Sequence, residues 1–247
     1  MFVAASSRCF SDKTFTEACL LISDLEYDKV EIWMSEKGSH LKPSVVAKDP
    51  ELFVAQFHET TRLTPVALYL EDDVDVRTMA GLARVAKQLR VTQITVPASP
   101  LGTPFNSEID RLKAFLNVVS PDGVRLSLKT QTGMLTEDAH TAVELCQSVP
   151  GLGLTLDPSY YICGPHRGTS FDQVFPYVYH VHLRDSTPQQ LQVQIGLGEV
   201  DYSRMIVMLR RNNYQRALSV DLIYSKDEEA NRPLEMRKLR MLLDTLL

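Results

Sequence analysis

Gly153-Leu154-Thr155-Leu156-Asp157 is an extended run of apolar and small residues that ends on a carboxylate. A charge closing an otherwise apolar strand is badly placed for a core and well placed for a solvent-facing rim. The same pattern recurs on both sides. Upstream, Val124-Arg125-Leu126-Ser127-Leu128-Lys129 closes on an ammonium. Downstream, Val178-Tyr179-His180-Val181-His182-Leu183 runs into Arg184 and Asp185, and Ala217-Leu218-Ser219-Val220-Asp221 closes on a second carboxylate. Stretches between these runs carry the hydrophobic spacing of helices, so strands and helices alternate.

Reading outward fills the rest of the chain. Four more strands are expected at Phe2–Ala5, Lys29–Trp33, Val66–Leu70 and Gln93–Val96. Helices are expected over Lys13–Leu25, with Ala18, Leu21, Ile22 and Leu25 on one face, and over Pro50–Leu63, capped by Asp49 with Pro50 at the first position. Further helices fit Asp75–Leu89 and Asn106–Val119. Thr136 is expected to cap a helix running to Ser148, with Glu137 in its first turn. A short helix fits Phe171–Phe175, another fits Tyr202–Asn212 with Asp201 as cap, and a last one fits Asp227–Leu247.

Eight strand–helix pairs with helix-length crossovers predict a parallel sheet. Right-handed crossovers let that sheet close, so the expected fold is α/β, a single (β/α)8 TIM barrel over residues 1–247. The rival, an open doubly wound sheet, usually carries a Gly-rich turn after its first strand, and Ser6-Ser7-Arg8 is no such turn. No Pro-, Gly- or Ser-rich linker divides the chain.

Composition narrows the function. The chain has 247 residues, 44% hydrophobic and 23% charged, with a net charge of −5. These values fit a soluble globular domain. No basic stripe suggests a nucleic-acid partner. No apolar run approaches the roughly 20 residues of a membrane span, and the polar start of MFVAASSRCF does not read as a signal peptide. Cys9, Cys19, Cys146 and Cys163 form no C-x-x-C pair and read as reduced thiols of a cytoplasmic protein.

In a βα barrel, chemistry gathers at the C-terminal ends of the strands. Lys129, Asp157, His182 with Asp185, and Asp221 are therefore candidates, and Glu31 sits mid-strand beside Trp33. His180 and His182 are two apart and point to the same side of their strand. Plainer roles exist for each: a helix cap for Asp157, a satisfied core imidazole for His182, backbone bonding at a loop start for Asp185. The loop Gly164-Pro165-His166-Arg167-Gly168 could meet an anionic group or be an ordinary solvated turn.

At these residues the chain resembles the xylose isomerase-like TIM-barrel superfamily, which includes sugar and sugar-phosphate isomerases and epimerases. Five segments carry the resemblance in the expected order: Val30-Glu31-Ile32, Gly153 to Asp157, Val181-His182-Leu183-Arg184-Asp185, Gly196-Leu197-Gly198-Glu199-Val200-Asp201, and Leu218-Ser219-Val220-Asp221. The resemblance implies one divalent cation, Mn²⁺, Mg²⁺, Co²⁺ or Zn²⁺, held by a Glu, an Asp, a His and a second Glu. It further implies proton transfer between adjacent carbons of a keto-sugar or polyol. Carried over, the Asp is Asp157, the His is His182, and the last Glu is shortened to Asp221. The first Glu falls on Lys129, whose ammonium cannot ligate a metal, and a further family histidine falls on Tyr160. The implied metal set is thus Asp157, His182 and Asp221, with the ion weakly held or absent. Lys129, Asp157 and Asp221 are the expected catalytic groups. Glu31, Trp33, Tyr160, His166, Arg167 and Arg184 are the expected substrate contacts.

Three readings follow. The first is an isomerase or epimerase-like enzyme with an atypical metal site. The second is a non-catalytic barrel binding a sugar-like ligand or a partner. The third is a Schiff-base enzyme using Lys129, against which two neighbouring carboxylates are expected to raise the lysine pKa. A homo-oligomer is compatible with the resemblance. Neither a nucleic acid nor a membrane is an expected partner.

Overall fold

The strands of this chain alternate between two environments. In β6 (Leu152–Leu156), β7 (Val178–Leu183) and β8 (Ala217–Val220), the residues Leu154, Leu156, Val181, Leu183, Leu218 and Val220 belong to the buried apolar core. The residues between them are polar: Thr155, His180, His182 and Ser219, all buried. The computed structural model, which describes residues 1–223 and 231–247, resolves this alternation into a closed ring of eight parallel strands in the order β1 to β8. The remaining strands are β1 (Phe2–Ser6), β2 (Lys29–Met34), β3 (Thr64–Leu70), β4 (Gln93–Val96) and β5 (Arg125–Lys129). The first and last strands close the ring, with Val3 opposite Leu218 and Ala5 opposite Val220. The expected single (β/α)8 barrel is the fold observed.

Apolar side chains fill the layer between sheet and helices, while the lumen is largely polar. Contacts between non-neighbouring strands mark the lumen, because such strands meet only across it. Thr95 of β4 and Thr155 of β6 share a 2.8 Å hydroxyl contact. Glu31 of β2 reaches both histidines of β7. Lys129 of β5 reaches Tyr69 of β3. Alternation along a strand therefore aims one set of side chains outward into the core and the other inward toward one another.

The outer helices are α1 (Phe15–Asp24), α2 (Pro43–Lys48), α3 (Pro50–Thr60), α4 (Val76–Gln88), α5 (Phe105–Val119), α6 (Ala139–Ser148), α7 (Pro158–Cys163), α8 (Tyr202–Arg211) and α9 (Arg232–Leu246). Several start where the sequence places them. Asp49 accepts from the Leu52 amide and Asp201 from the Arg204 amide. At α1, Thr14 and Glu17 form a reciprocal capping box. The described residues contain no helix long and apolar enough to cross a membrane.

Three expectations are corrected. Thr136 does not cap α6. Asp138 does, because its carboxylate accepts from the Thr141 amide, while the Thr136 hydroxyl donates to the Lys129 carbonyl. Glu137 lies in a short 3₁₀ turn ahead of α6 and accepts from the Gly133 amide. The segment near Phe171 forms a 3₁₀ helix over Asp172–Tyr177, a tight geometry compatible with Pro176. The short helices α2 and α7 were not expected, since six residues show too little periodicity to read. The start of the expected last helix, residues 227–230, lies outside the described residues.

Candidate functional site at the barrel mouth

The strands deliver their closing residues to one end of the ring, and these residues meet. Lys129 ends β5, Asp157 follows β6, Arg184 follows β7 and Asp221 follows β8. Asp221 is the hub. Its Oδ2 lies 2.7 Å from Arg184 Nη2, 3.3 Å from Arg8 Nη1 and 3.4 Å from Lys129 Nζ. Arg184 also donates from Nε to the Asp221 carbonyl at 2.9 Å. Its Nη1 stands 2.8 Å from Asp157 Oδ2, close enough for an ion pair but not aligned as a hydrogen bond. Arg8 continues the chain outward, with Nε 3.2 Å from Glu71 Oε2. Charge thus alternates along one path, from Glu71 through Arg8, Asp221 and Arg184 to Asp157, with Lys129 beside the hub.

Burial sets the strength of these contacts. Lys129, Asp157, His182, Arg184 and Asp221 are each at most 1% exposed. The side chains of Arg8 and Glu71 keep 13% and 30% exposure. Burial alone would raise the Asp221 carboxyl, but Lys129, Arg8 and Arg184 hold it well below the usual carboxylate range. Burial would likewise lower the Arg184 guanidinium, yet Asp157 and Asp221 push it up. At Lys129, burial lowers the pKa. Asp221 and Asp157 act to raise it, while Arg8 and Arg184 act in the same direction as burial, and the net shift is downward. The expectation that the carboxylates win at Lys129 is therefore corrected.

Below the hub lies a histidine pair. His180 Nε2 and His182 Nε2 sit 2.9 Å and 2.8 Å from the same oxygen, Glu31 Oε1. Ser219 donates to Glu31 Oε2 at 2.8 Å. Burial would raise Glu31, but the two imidazoles hold it far below its ordinary value. An ionised Glu31 accepts only, so His182 Nε2 carries the shared proton; burial lowers the His182 pKa, and in the neutral ring so favoured Nδ1 is an acceptor. That Nδ1 is buried without a hydrogen-bond partner among the described residues, 3.6 Å from Asp221 Oδ2. Glu31, expected as a substrate contact, lies in the lumen beneath the hub and fixes the His182 ring.

Other candidates divide between rim and elsewhere. Tyr160 on α7 packs its ring 5.6 Å from the Arg184 guanidinium and 5.9 Å from Lys129 Nζ. Trp33 donates from its indole to Glu71 at 2.9 Å. His166 and Arg167 are not brought to this cluster: His166 faces Glu137 at 3.7 Å and Arg167 donates to the Pro188 carbonyl. Asp157 also takes its plainer role, since its Oδ1 accepts from the Ser159 amide at the start of α7. Asp185 accepts from the amides of Ser186, Gly196 and Gly198, which pins the loop after β7. Arg8, Tyr69 and Glu71 were missed. Each lies at or just past a strand end, so the rule applied to β5–β8 would have found them on β1 and β3.

Two groups offer metal-ligand geometry among the described residues: Glu31, His180 and His182, and Asp157, His182 and Asp221, each with one potential ligand atom per residue within 4.8 Å of the others.

A family model described as xylose isomerase-like TIM barrel matches residues 19–244. No curated protein sequence matches the chain. Among solved structures, the chain is similar to a xylose isomerase-like TIM barrel protein from Mycobacterium smegmatis in complex with magnesium, at 14% identity and TM-score 0.77, covering 99% of this chain and 97% of that one. It is similar to a xylose isomerase domain protein from Planctomyces limnophilus at 16% identity and TM-score 0.74, covering 100% and 96%. A D-allulose 3-epimerase from Methylomonas sp. in complex with D-allulose matches at 14% identity and TM-score 0.70, covering 97% of each chain.

Proposed function

The chain belongs to the xylose isomerase-like TIM-barrel family, and we propose that it binds a small keto-sugar or polyol at the barrel mouth without a divalent cation. The observation that carries this reading is the Arg184 bridge between Asp157 and Asp221. A cation shared by Asp157, His182 and Asp221 would meet that guanidinium at both carboxylates. It would also meet Lys129 and Arg8 within 3.4 Å of Asp221 Oδ2. Among the described residues Arg184, Arg8 and Lys129 already match Asp157, Asp221 and Glu71 charge for charge, so the cluster leaves no deficit for a metal to fill, and the fourth ligand position is an ammonium. The donor set does not fit a divalent ion there.

A ligand entering the mouth would meet the more exposed residues first. Arg8 and Glu71 offer a donor and an acceptor for hydroxyls. The buried carboxylate Asp221 is stabilised in its charged form, which makes it a weak proton acceptor. Binding without turnover is therefore the reading the geometry supports best. The test is thermal shift and calorimetry with D-allulose and related ketoses and polyols, in EDTA and then in Mn²⁺. Binding should be unchanged by EDTA and unaccompanied by epimerisation. Saturable epimerisation that requires the metal would overturn the proposal.

A second reading is favoured by the lowered pKa of Lys129. A neutral amine can add to a ketose carbonyl carbon, and loss of water then gives an imine. Borohydride reduction in the presence of D-allulose, followed by peptide mass spectrometry, should attach the ligand to Lys129. Absence of that adduct removes this reading.

A further inference from the structure

We propose that the Arg184 guanidinium is a built-in replacement for a divalent cation, and that vacating its position together with that of Lys129 turns the mouth into a metal site. This rests on the metal-independent reading above. Asp157, His182 and Asp221 each bring one potential ligand atom within 4.8 Å of the others, and each keeps a buried acceptor atom without a directed hydrogen bond among the described residues: Asp157 Oδ2, His182 Nδ1 and Asp221 Oδ1. Such atoms are costly to bury without a partner. Glu31 and Ser219 hold His182 in the tautomer that leaves Nδ1 as a lone pair facing Asp221. A carboxylate fixing the far nitrogen of an imidazole is the arrangement that aims the near nitrogen at a metal. Two carboxylate oxygens and an imidazole nitrogen, oriented in this way, form half of a cation's coordination shell. Arg184 is the positive charge that bridges the two carboxylates, with Nη1 2.8 Å from Asp157 Oδ2 and Nη2 2.7 Å from Asp221 Oδ2.

The exchange is complete only with Lys129. Its ammonium occupies the strand end from which an oxygen ligand would come, 3.4 Å from Asp221 Oδ2. Removing it alone leaves the guanidinium bridging both carboxylates. Removing Arg184 alone leaves an ammonium at the same oxygen. Both must change before a divalent ion gains a site, which makes the effect of the two substitutions non-additive.

The experiment is Mn²⁺ binding by calorimetry and electron paramagnetic resonance on the full chain, for wild type, Lys129→Glu, Arg184→Ala and the double substitution. The expected result is no saturable site in wild type or Lys129→Glu, and one Mn²⁺ per chain in Lys129→Glu/Arg184→Ala. Adding Asp157→Asn to the double substitution should abolish the gain. Should the double substitution fail to fold in buffer, its melting transition should reappear when refolded with Mn²⁺. A folded double variant without Mn²⁺, or one that Mn²⁺ does not rescue, overturns the inference. So does a saturable site in Lys129→Glu alone. Ketose binding by wild type in EDTA is read in parallel: loss of that binding sinks the metal-independent reading, whereas its persistence without a gain in the variants sinks only the cation exchange.

Discussion

Replacing Asp221 with Asn should be among the most damaging conservative changes in this protein. The amide keeps the size and one acceptor, but removes the charge that Arg184, Arg8 and Lys129 share at 2.7, 3.3 and 3.4 Å. Among the described residues those cations would then have Asp157 and Glu71 to answer them. Breaking a buried ion pair by removing one partner costs about 3–5 kcal/mol, because the other charge stays desolvated. For a domain of this length each kcal/mol lowers the melting temperature by about 2–4 °C, so a fall of roughly 6–20 °C is expected. The pH dependence adds a second handle. Burial acts to raise the Asp221 carboxyl, but Lys129 and the other cations hold its folded pKa well below the ordinary value. A depressed carboxyl contributes its full stability above the unfolded pKa of about 3.9, and loses it as pH falls through the folded pKa. The gap between wild type and Asp221→Asn should therefore be full at neutral pH and narrow in acid, below roughly pH 4. Calorimetric melts at neutral and acid pH read both effects. A variant within about 0.5 kcal/mol of wild type, as for a plain surface substitution, would refute the hub assignment. So would a gap that does not change with pH.

Other sites give independent checks. Gly198→Ala should cost about 1–3 kcal/mol, because a Cβ there collides with the Asp185 carboxylate that pins the loop after β7; an unchanged urea midpoint would deny Asp185 that role. Thr14→Ala should cost about 1 kcal/mol by removing the capping box of α1, and hydrogen exchange should show faster amides in the first turn of that helix only. Glu108 is buried, which acts to raise its carboxyl, but hydrogen bonds and charge from Arg111 and hydrogen bonds from Ser99 hold it below the usual range. Glu108→Gln should cost about 1.5–3 kcal/mol at neutral pH. That loss should shrink as pH falls below the unfolded carboxyl value of about 4.3, and a constant difference across that range would show the ion pair contributes nothing.

The barrel was legible because its strands are short and sharply patterned. In β7, Val181 and Leu183 face outward and His180 and His182 inward, as period-2 alternation requires. Asp49 and Asp201 marked helix starts because a cap needs only its own carboxylate and an amide three residues on. What escaped the sequence depended on contacts between distant strands. Arg184 looked like a substrate contact, since nothing local reveals that Asp157 and Asp221 both reach it. Arg8, Tyr69 and Glu71 escaped because the strand-end rule was applied to the later strands alone. Thr136 looked like the cap of α6, but its hydroxyl reaches the Lys129 carbonyl and Asp138, two residues on, caps the helix instead. The direction of the Lys129 shift also needed the fold, because it balances burial and two arginines against two carboxylates.

Elemental analysis of the protein, purified without chelator from cells supplied with manganese, zinc, magnesium and cobalt, bears most directly on whether fixed side-chain cations have taken over the mouth. The expected result is far less than one divalent ion per chain, with D-allulose or a related polyol still bound. One tightly held ion per chain, lost together with ligand binding on substituting Asp157 or His182, would contradict the account.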